Sequence, residues 1–538
     1  MIGLKDSQLF SFVGSIMALY KSSSETIIKH SRWLSTQVQR TKVTLFDRLQ
    51  QVITTSHESP IVDCKQWSKF REDLLKPPLA VKEIALDSTI LQYCISSNDL
   101  PLGKSYQKYL RESESNPSLG FVGKYFQLLY NNMHHLTHDD KKDILTMYDN
   151  LRVAHPLLDA STAECCILGL SLTERWKESF ELLEMLKVSC TGSVACYSAI
   201  AQAAFYNSCP EIGWKYLNEM VTLERNPKSA VYITYVDYCT RTFTDRDVCV
   251  AEIGKLFNFF AEHSLAPFKD AIDYIQVTFK KLGWTGVPTV VDKKGVCQTC
   301  GHQLSPLNLS AEDYSMLLNA VVEKALVGND VYHRTTPVEL KKFQNFINRT
   351  KPYDVVVDGL NVAYKNRQVS NNPVATLVRQ FVSQNKIVLI LGRKHMMQWN
   401  ANAMKYIKNN SYLFLTDDLS SDDLCLLYAT FASGPQTQFV SSDLMRQHKF
   451  LLQDPALKKL FKHWQMASQR FPVFRGSQLH ITPPLNYLPV AQSSENHWHI
   501  PYQQNDAPLT DTYEPPAYWL CLHKLGKQTS DSTRKYFK

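Results

Sequence analysis

Apolar positions along this chain fall into two regimes. From roughly 86 to 283 they recur at the spacing of α-helices with no strand-like alternation, whereas from 353 to 452 short, continuous apolar runs alternate with longer helical patterns. The first regime repeats itself. Leu182-Leu183-Glu184-Met185 returns as Leu217-Asn218-Glu219-Met220, 35 residues later, and the helices before them open on Ala163-Glu164-Cys165-Cys166 and Ala195-Cys196-Tyr197-Ser198. A third copy starts at Val231 and runs to Phe259 and Phe260, and 88–159 has room for two less regular ones. Helix pairs at such a period build an α-solenoid of the tetratricopeptide or pentatricopeptide kind, with a concave surface for a partner. Arg175, Lys177, Lys187 and Lys215 would suit a phosphate backbone there, although charged residues on solvated helix faces are equally the ordinary expectation. The repeats are too irregular for a one-base-per-repeat code, so shape recognition of folded RNA is expected.

The second regime predicts a doubly wound α/β domain. The runs 354–359 (DVVVDG), 386–391 (KIVLIL), 412–415 (YLFL) and 437–440 (TQFV) read as strands, being short, β-branched or aromatic and continuously apolar. The segments between them are long enough for right-handed crossover helices. Ligands of such sheets sit beyond the carboxyl ends of the strands. Asp358 ends the first strand, Asp443 follows the fourth by three residues, and Asp422 and Asp423 open the helix after the third. Each alone has a bland explanation: Ser420-Ser421-Asp422-Asp423 is an ordinary helix start and Asp358-Gly359 an ordinary turn. Gathered at one sheet edge, the carboxylates repel unless a cation neutralises them. All-oxygen ligation selects a hard ion, Mg²⁺ or Mn²⁺, and two such ions about 3.5–4 Å apart are the usual device for phosphodiester hydrolysis. Asn361 is placed to orient water, and Asp417 and Asp418 are competitors for the Asp422–Asp423 pair, ranked second because they lie nearer the strand and farther from the helix start.

A second kind of chemistry lies outside both regimes. Cys297-Gln298-Thr299-Cys300 offers two thiolates to a tetrahedral Zn²⁺. His499 in His497-Trp498-His499-Ile500-Pro501 and Cys521 in Trp519-Leu520-Cys521 would complete the site, with His302, His497 and His523 as alternatives. Closed in that way, the metal staples the two ends of the catalytic module. A redox dithiol is the rival, but that motif starts a helix after a strand, and Gly295 and Gly301 flank a turn.

Composition narrows the setting. At 538 residues, 44% hydrophobic and 20% charged, the chain should hold three or four globular domains. Thirteen cysteines without a disulfide-like rhythm indicate a reducing compartment, and a net charge of +8 favours an anionic partner. The longest apolar run, 9–20, is broken by Ser and Gly and is too short for a bilayer, so no membrane span is expected. Residues 1–45 carry Lys5, Lys21, Lys29, Arg32, Arg40 and Lys42 against Asp6 and Glu25, with eight serines, as mitochondrial transit segments do. A secretory signal would need a small-x-small cleavage site; a plain extension is the other alternative. Gly103-Lys104-Ser105 lacks the earlier glycine of a P-loop, position 98 being Asn, and no Gly-x-Gly-x-x-Gly follows the first strand.

Taken in order, the helical repeats, Cys297-x-x-Cys300, VVVDGLNVAY at 355–364, Asp422-Asp423 ahead of LLYA, SSDLMRQH at 441–448, WHIP at 498–501 and Trp519-Leu520-Cys521 resemble protein-only RNase P, in its animal mitochondrial branch. The resemblance runs from about 86 to 538 and is strongest from 295 onward. It implies a multidomain α and α/β fold. A targeting segment and N-terminal extension would occupy 1–85. An N-terminal α-solenoid of pentatricopeptide-like repeats at 86–285 would grip the elbow of a precursor tRNA. A small zinc-binding bridging domain would take 286–335 plus 485–538, and a doubly wound NYN/PIN-like metallonuclease domain 336–484. The implied activity is Mg²⁺-dependent removal of the 5′ leader in the mitochondrial matrix. Asp358, Asp422, Asp423 and Asp443 are implied as the metal-binding carboxylates with His448 as a helper, and Cys297, Cys300, His499 and Cys521 as the Zn²⁺ ligands. Animal members resemble one another in acting with a subcomplex of a tRNA methyltransferase and a short-chain dehydrogenase. The alternatives are another nuclease of the same superfamily acting on other RNA, and a non-catalytic RNA-binding assembly protein.

Overall fold

The computed structural model describes residues 64–75, 82–113, 117–327, 337–364, 372–416, 422–445, 452, 454–475, 478–494, 496–505 and 516–524. The basic 1–45 segment, Asp417, Asp418 and His448 lie outside the described residues. The chain divides into two compact units, Met1–Thr234 and Tyr235–Lys538.

The first unit is helical: α1 (Cys64–Leu75), α2 (Glu83–Ser97), α3 (Leu100–Glu112), α4 (Leu119–Asn131), α5 (His138–Ala154), α6 (Ala160–Leu170), α7 (Ser179–Ser189), α8 (Val194–Tyr206) and α9 (Pro210–Thr222). Its helix starts are encoded locally. Ser118, Asp159 and Ser193 accept hydrogen bonds from the backbone N–H groups of Phe121, Thr162 and Cys196, satisfying donors that a first turn leaves unpaired. Thr137 and Asp140 close a reciprocal capping box on α5. The first helices of successive repeats stack in a rank, α2 on α4, α4 on α6 and α6 on α8, while α7 and α9 pack beside α6 and α8. The repeated Leu182 and Leu217 are both fully buried. Close stacking explains two glycines: a Cβ on Gly169 would lie 2.8 Å from the Phe126 ring, and one on Gly213 2.4 Å from that of Phe205. The Tyr130 hydroxyl donates to buried Gln202 Oε1 at 2.5 Å, tying α4 to α8.

The boundary between the units falls in α10 (Ser229–Thr242); α11 (Arg246–His263), α12 (Lys269–Lys281) and β1 (Trp284–Thr289) follow. Then come α13 (Ala311–Val327), α14 (Pro337–Thr350), β2 (Val355–Asp358), α15 (Gly359–Tyr364), α16 (Asn372–Val382), β3 (Val388–Arg393), α17 (Ala401–Asn410), β4 (Tyr412–Thr416), α18 (Asp422–Ser433) and β5 (Gln438–Val440). The remainder is α19 (Pro455–Ser468), β6 (Gln469–Arg475), β7 (Gln478–Thr482), β8 (Gln492–Ser494), β9 (His497–Tyr502) and β10 (Tyr518–Lys524).

Two sheets organise this unit. One has the order β4-β3-β2-β5-β6-β7, parallel except for the antiparallel edge strand β7. Its central strand is continuously apolar because both faces are covered, and Val355, Val356 and Val357 are all buried. The four anticipated strands are β2 to β5; β6 and β7 extend the sheet beyond them. Pro472, which lies beyond the short pairing of β6 with β5, and the polar alternation of edge strand Gln478–Thr482 disguise these two as loop. The other sheet, β1-β10-β9-β8, is antiparallel and joins segments more than 200 residues apart. Helix α13, grouped by its position in the sequence with the zinc-binding segment, instead packs Leu317 and Val321 into the nuclease-side core with Val356, Leu389, Phe439 and Trp464. Its apolar stripe announces burial without saying against what.

Candidate active site and metal centre

In the six-stranded sheet the chain runs outward from β2 through β3 to β4 and then crosses back to place β5 on the other side of β2. The crevice between the carboxyl ends of β2 and β5 is therefore the topological switch point, where such sheets bind ligands. Asp358 is the last residue of β2, and Ser441 to Asp443 leave β5 directly opposite. Gly359 follows Asp358 because a Cβ there would meet the Leu391 carbonyl oxygen at 2.8 Å, which lets α15 start at once. One Asp358 carboxylate oxygen accepts from the Asn361 N–H at 2.9 Å, and the other from the Ser441 hydroxyl at 3.2 Å. The Ser442 N–H donates to Asn361 Oδ1 at 2.8 Å, so the two strand ends are bridged twice.

Beside this crevice, over the carboxyl ends of β2 and β3, opens a cavity of about 340 Å³, lined by Asp358, Leu360, Asn361, Tyr364, Arg393, His395 and Asp423. Asp423 reaches it from the first turn of α18, which packs across β2 and β3. Asp422 is the first residue of that helix, and its side chain lies outside the described residues. Asp443 is exposed and does not line the cavity; its carboxylate accepts the Met445 N–H at 2.6 Å. The structure thus brings Asp358, Asn361 and Asp423 together and leaves Asp443 on the neighbouring loop. Arg393, His395 and Tyr364 were not anticipated. Arg393 ends β3, so the strand-end rule that singled out Asp358 points to it as well; Tyr364 and His395 carry no such signal.

The loop bearing Asp443 is held from beneath. Gln469, 2% exposed, donates through Nε2 to the carbonyls of Ser441 and Asp443, both at 2.8 Å. Gln465, fully buried, donates to the Leu444 carbonyl at 3.1 Å and to Gln469 Oε1 at 2.6 Å.

The second site lies on the antiparallel sheet. Cys521 of β10 and His499 of β9 are register partners, and the loop after β1 brings Cys297 and Cys300 against them. The ligating atoms of Cys297, Cys300, His499 and Cys521 all lie within 4.8 Å of one another, with Cys300 Sγ 3.2 Å from His499 Nε2. The knuckle is a tight turn. The Cys297 N–H donates to the His302 carbonyl and the Gly301 N–H to the Cys297 carbonyl, both at 2.9 Å, with Gly295 at φ 87° and Gly301 at φ 72°. Burial opposes ionisation of Cys297, yet hydrogen bonds from the Cys300 and Thr299 N–H groups and the Thr289 hydroxyl hold its thiol below the usual cysteine range. Burial and the neighbouring thiols push Cys300 and Cys521 up. Burial pushes His499 down to about 4, so its imidazole is neutral at pH 7, the form that ligates metals. Three thiolates this close cannot ionise together without a cation, and a soft Cys₃His donor set fits structural zinc. His302 and His497 stack beside His499, with ring centroids 5.4 and 6.4 Å away, and are not among the four converging ligands. On the opposite face of β9, Trp498 packs on Phe257 of α11 with ring centroids 5.0 Å apart.

A family model for protein-only RNase P matches residues 291–521. The chain is 30% identical over 473 residues to the mitochondrial ribonuclease P catalytic subunit of Mus musculus, covering 85% of this chain and 78% of that protein. It is 25% identical over 257 residues to proteinaceous RNase P 1, chloroplastic/mitochondrial, of Arabidopsis thaliana, covering 45% of this chain and 42% of that one. Among solved structures, nuclear proteinaceous RNase P 2 of Arabidopsis thaliana superposes with a TM-score of 0.53 at 16% identity, covering 83% of this chain and 100% of that chain; this likeness concerns the fold.

Proposed function

The chain belongs to the protein-only RNase P family, and from that premise we propose how its own residues carry the activity. It is an endoribonuclease that removes the 5′ leader of precursor tRNA, and it works in mitochondria, as its mouse relative is named to do. The cavity that Asp358 and Asp423 share over the carboxyl ends of β2 and β3 supports the catalytic assignment. Asp358, Asp422, Asp423 and Asp443 would hold Mg²⁺ or Mn²⁺; the all-oxygen donor set fits a hard ion. Bound there, such an ion supplies charge neutralisation at the phosphate and makes water acidic enough to attack. Asn361 and Ser441 keep Asp358 in one orientation. Asn361 Oδ1 accepts from the Ser442 N–H, which fixes the side chain and leaves its amide N–H groups for orienting water or a phosphate oxygen. Arg393, at the end of β3, presents a guanidinium to the same cavity and suits a non-bridging phosphate oxygen. His448 stays a proposed helper. The product is a 5′-phosphate on the tRNA and a 3′-hydroxyl on the leader.

Cys297, Cys300, His499 and Cys521 would hold Zn²⁺ in a structural role, joining the strands on either side of the nuclease segment. The helical repeats would receive the body of the tRNA. Residence in the mitochondrial matrix and assembly with a tRNA methyltransferase and a short-chain dehydrogenase complete the proposal. The test is cleavage of a 5′-labelled precursor tRNA in Mg²⁺, with and without mitochondrial extract, and mapping of the new 5′ end. Asp358→Asn should lower the rate by more than about 10²-fold, since even residues one shell out from a metal commonly cost about 10–100-fold. Wild-type cleavage by this variant would remove the carboxylate assignment.

A further inference from the structure

The cavity beside Asp358 has a wall that metal chemistry does not use. Tyr364, six residues past Asp358 at the end of α15, lines it and is 47% exposed. Trp399 stands behind, its ring centroid 6.4 Å from that of Tyr364 at an interplanar angle of 73°, and His395, also in the cavity lining, lies 6.0 Å from Trp399 at 62°. Edge-to-face packing of this kind fixes ring orientation. Trp399 is anchored in turn against the core formed by Val357, Val374 and Met404. A half-exposed, oriented aromatic ring next to the Arg393 guanidinium and two carboxylates that would hold a cation matches the parts of a nucleotide: a base face for the ring, and a phosphate for the guanidinium and the cation. At about 340 Å³ the cavity sits near the lower end of small-ligand sites, with room for one nucleotide rather than a duplex.

We propose that Tyr364, braced by Trp399 and His395, stacks on the base of the last leader nucleotide and so aligns the scissile phosphate over Asp358 and Asp423. This rests on the RNase P activity stated above and names how its substrate is seated. The choice of nucleotide follows from pairing. The first nucleotide of the tRNA is paired and stacked in the acceptor stem, whereas the nucleotide just upstream of the cut is single-stranded and offers a free face. Aromatic stacking tolerates any base, because every base has a π-face, which suits an enzyme that meets many leaders.

The experiment compares a normal precursor with one abasic at the last leader position, using wild type, Tyr364→Phe and Tyr364→Ala. In wild type and Tyr364→Phe the abasic substrate should lose ~5- to 150-fold in kcat/KM, the range of one base–aromatic stack. Tyr364→Ala should lose a similar factor on the normal precursor and little more on the abasic one. A parallel arm places 2-aminopurine at that position and binds the precursor in Ca²⁺ without turnover: wild type quenches its emission and Tyr364→Ala does not. An abasic penalty that persists undiminished in Tyr364→Ala, or equal quenching by both proteins, overturns the stacking proposal while leaving leader removal intact. Failure of wild type to generate the mature 5′ end from the normal precursor would instead count against the activity itself. The fluorescence arm decides the stacking question even where turnover requires accessory subunits.

Discussion

Replacing Gln469 by Leu tests whether the loop carrying Asp443 is positioned by the buried glutamines beneath it. Leucine is similar in size and apolar, so the change removes hydrogen bonds with little loss of volume. Three are lost: those from Gln469 Nε2 to the carbonyls of Ser441 and Asp443, and that from Gln465 Nε2 to Gln469 Oε1. Ser441 and Gln465 are fully buried and cannot turn to water, whereas Asp443 is exposed and can. Two stranded buried groups at about 1–3 kcal/mol each give a loss of about 2–6 kcal/mol. At about 2–4 °C per kcal/mol for a domain of this size, that corresponds to a fall of roughly 4–24 °C in melting temperature. The loop is also freed to shift. A displacement of about 1 Å in a catalytic group can cost about 10²-fold, so kcat should fall by at least about tenfold with KM nearly unchanged, since Gln469 itself does not line the cavity. Thermal melting and single-turnover cleavage at saturating precursor read the two effects separately, and raised Mg²⁺ should recover part of the rate. A variant that melts early yet cleaves at the wild-type rate would refute the positioning role and leave a structural one.

Further outcomes follow from packing and charge. In the helical unit, Gly169→Ala should destabilise by about 1–3 kcal/mol, because its Cβ would lie 2.8 Å from the Phe126 ring in a stacked helix pair; an unchanged melting curve would mean that α4 and α6 yield easily. In the nuclease, burial pushes His463 down to about 4, with Lys459 and Lys462 on its own helix adding to the shift and Asp313 of α13 opposing it. The unfolded chain takes up a proton at this histidine near pH 6.5 that the native one refuses until about pH 4, so stability should fall as pH drops through that window. Urea midpoints at pH 7.5, 6 and 5 check this, and His463→Leu should flatten the slope; parallel slopes in both proteins would exclude His463 as a cause. Trp498→Ala should loosen the packing of β9 on α11 and raise amide exchange at both elements, with no change in exchange across β2 to β5.

The legible parts of the sequence were those governed by period and by strand ends. Val355 to Val357 could be nothing but a strand covered on both faces, and once four such runs alternate with helices, the end of each strand marks the ligand edge. That logic led to Asp358 and Asp423, which the fold sets in one cavity, and it would have led to Arg393 had it been applied to every strand. Asp443, three places beyond a strand, is where that logic is loosest: its carboxylate accepts a local N–H. Contacts that depend on which face meets which were not legible: α13 against the nuclease core, Tyr364 against Trp399, and Gln465 and Gln469 beneath the Asp443 loop. The cysteine knuckle was half visible. Its completion by His499 and Cys521 depends on the antiparallel register of β9 and β10, which no local spacing announces.

That register makes the metal centre and the catalytic sheet mechanically related. The chain leaves the cysteine knuckle at Ser305 and returns at Asn486, and the two crossings pair with each other: Leu307 N–H donates to the Asn486 carbonyl at 3.2 Å and Leu488 N–H to the Ser305 carbonyl at 2.9 Å. The nuclease is thus an insertion on a two-stranded neck, and the neck is rooted in a small core of Val291, Leu304, Tyr487 and Trp519 beside the cysteine–histidine quartet. Four residues are too few to hold such a module without its metal, whereas the nuclease has cores of its own. Chelating the bound metal, or replacing Cys521 by Ser, should therefore release protection at the Leu307 and Leu488 amides while those of Val356 and Val357 stay protected. Precursor cleavage should fall together with protection at the neck. If Val356 and Val357 lose protection at the same metal concentration as Leu307, the nuclease does not stand on its own cores and the metal is part of its fold.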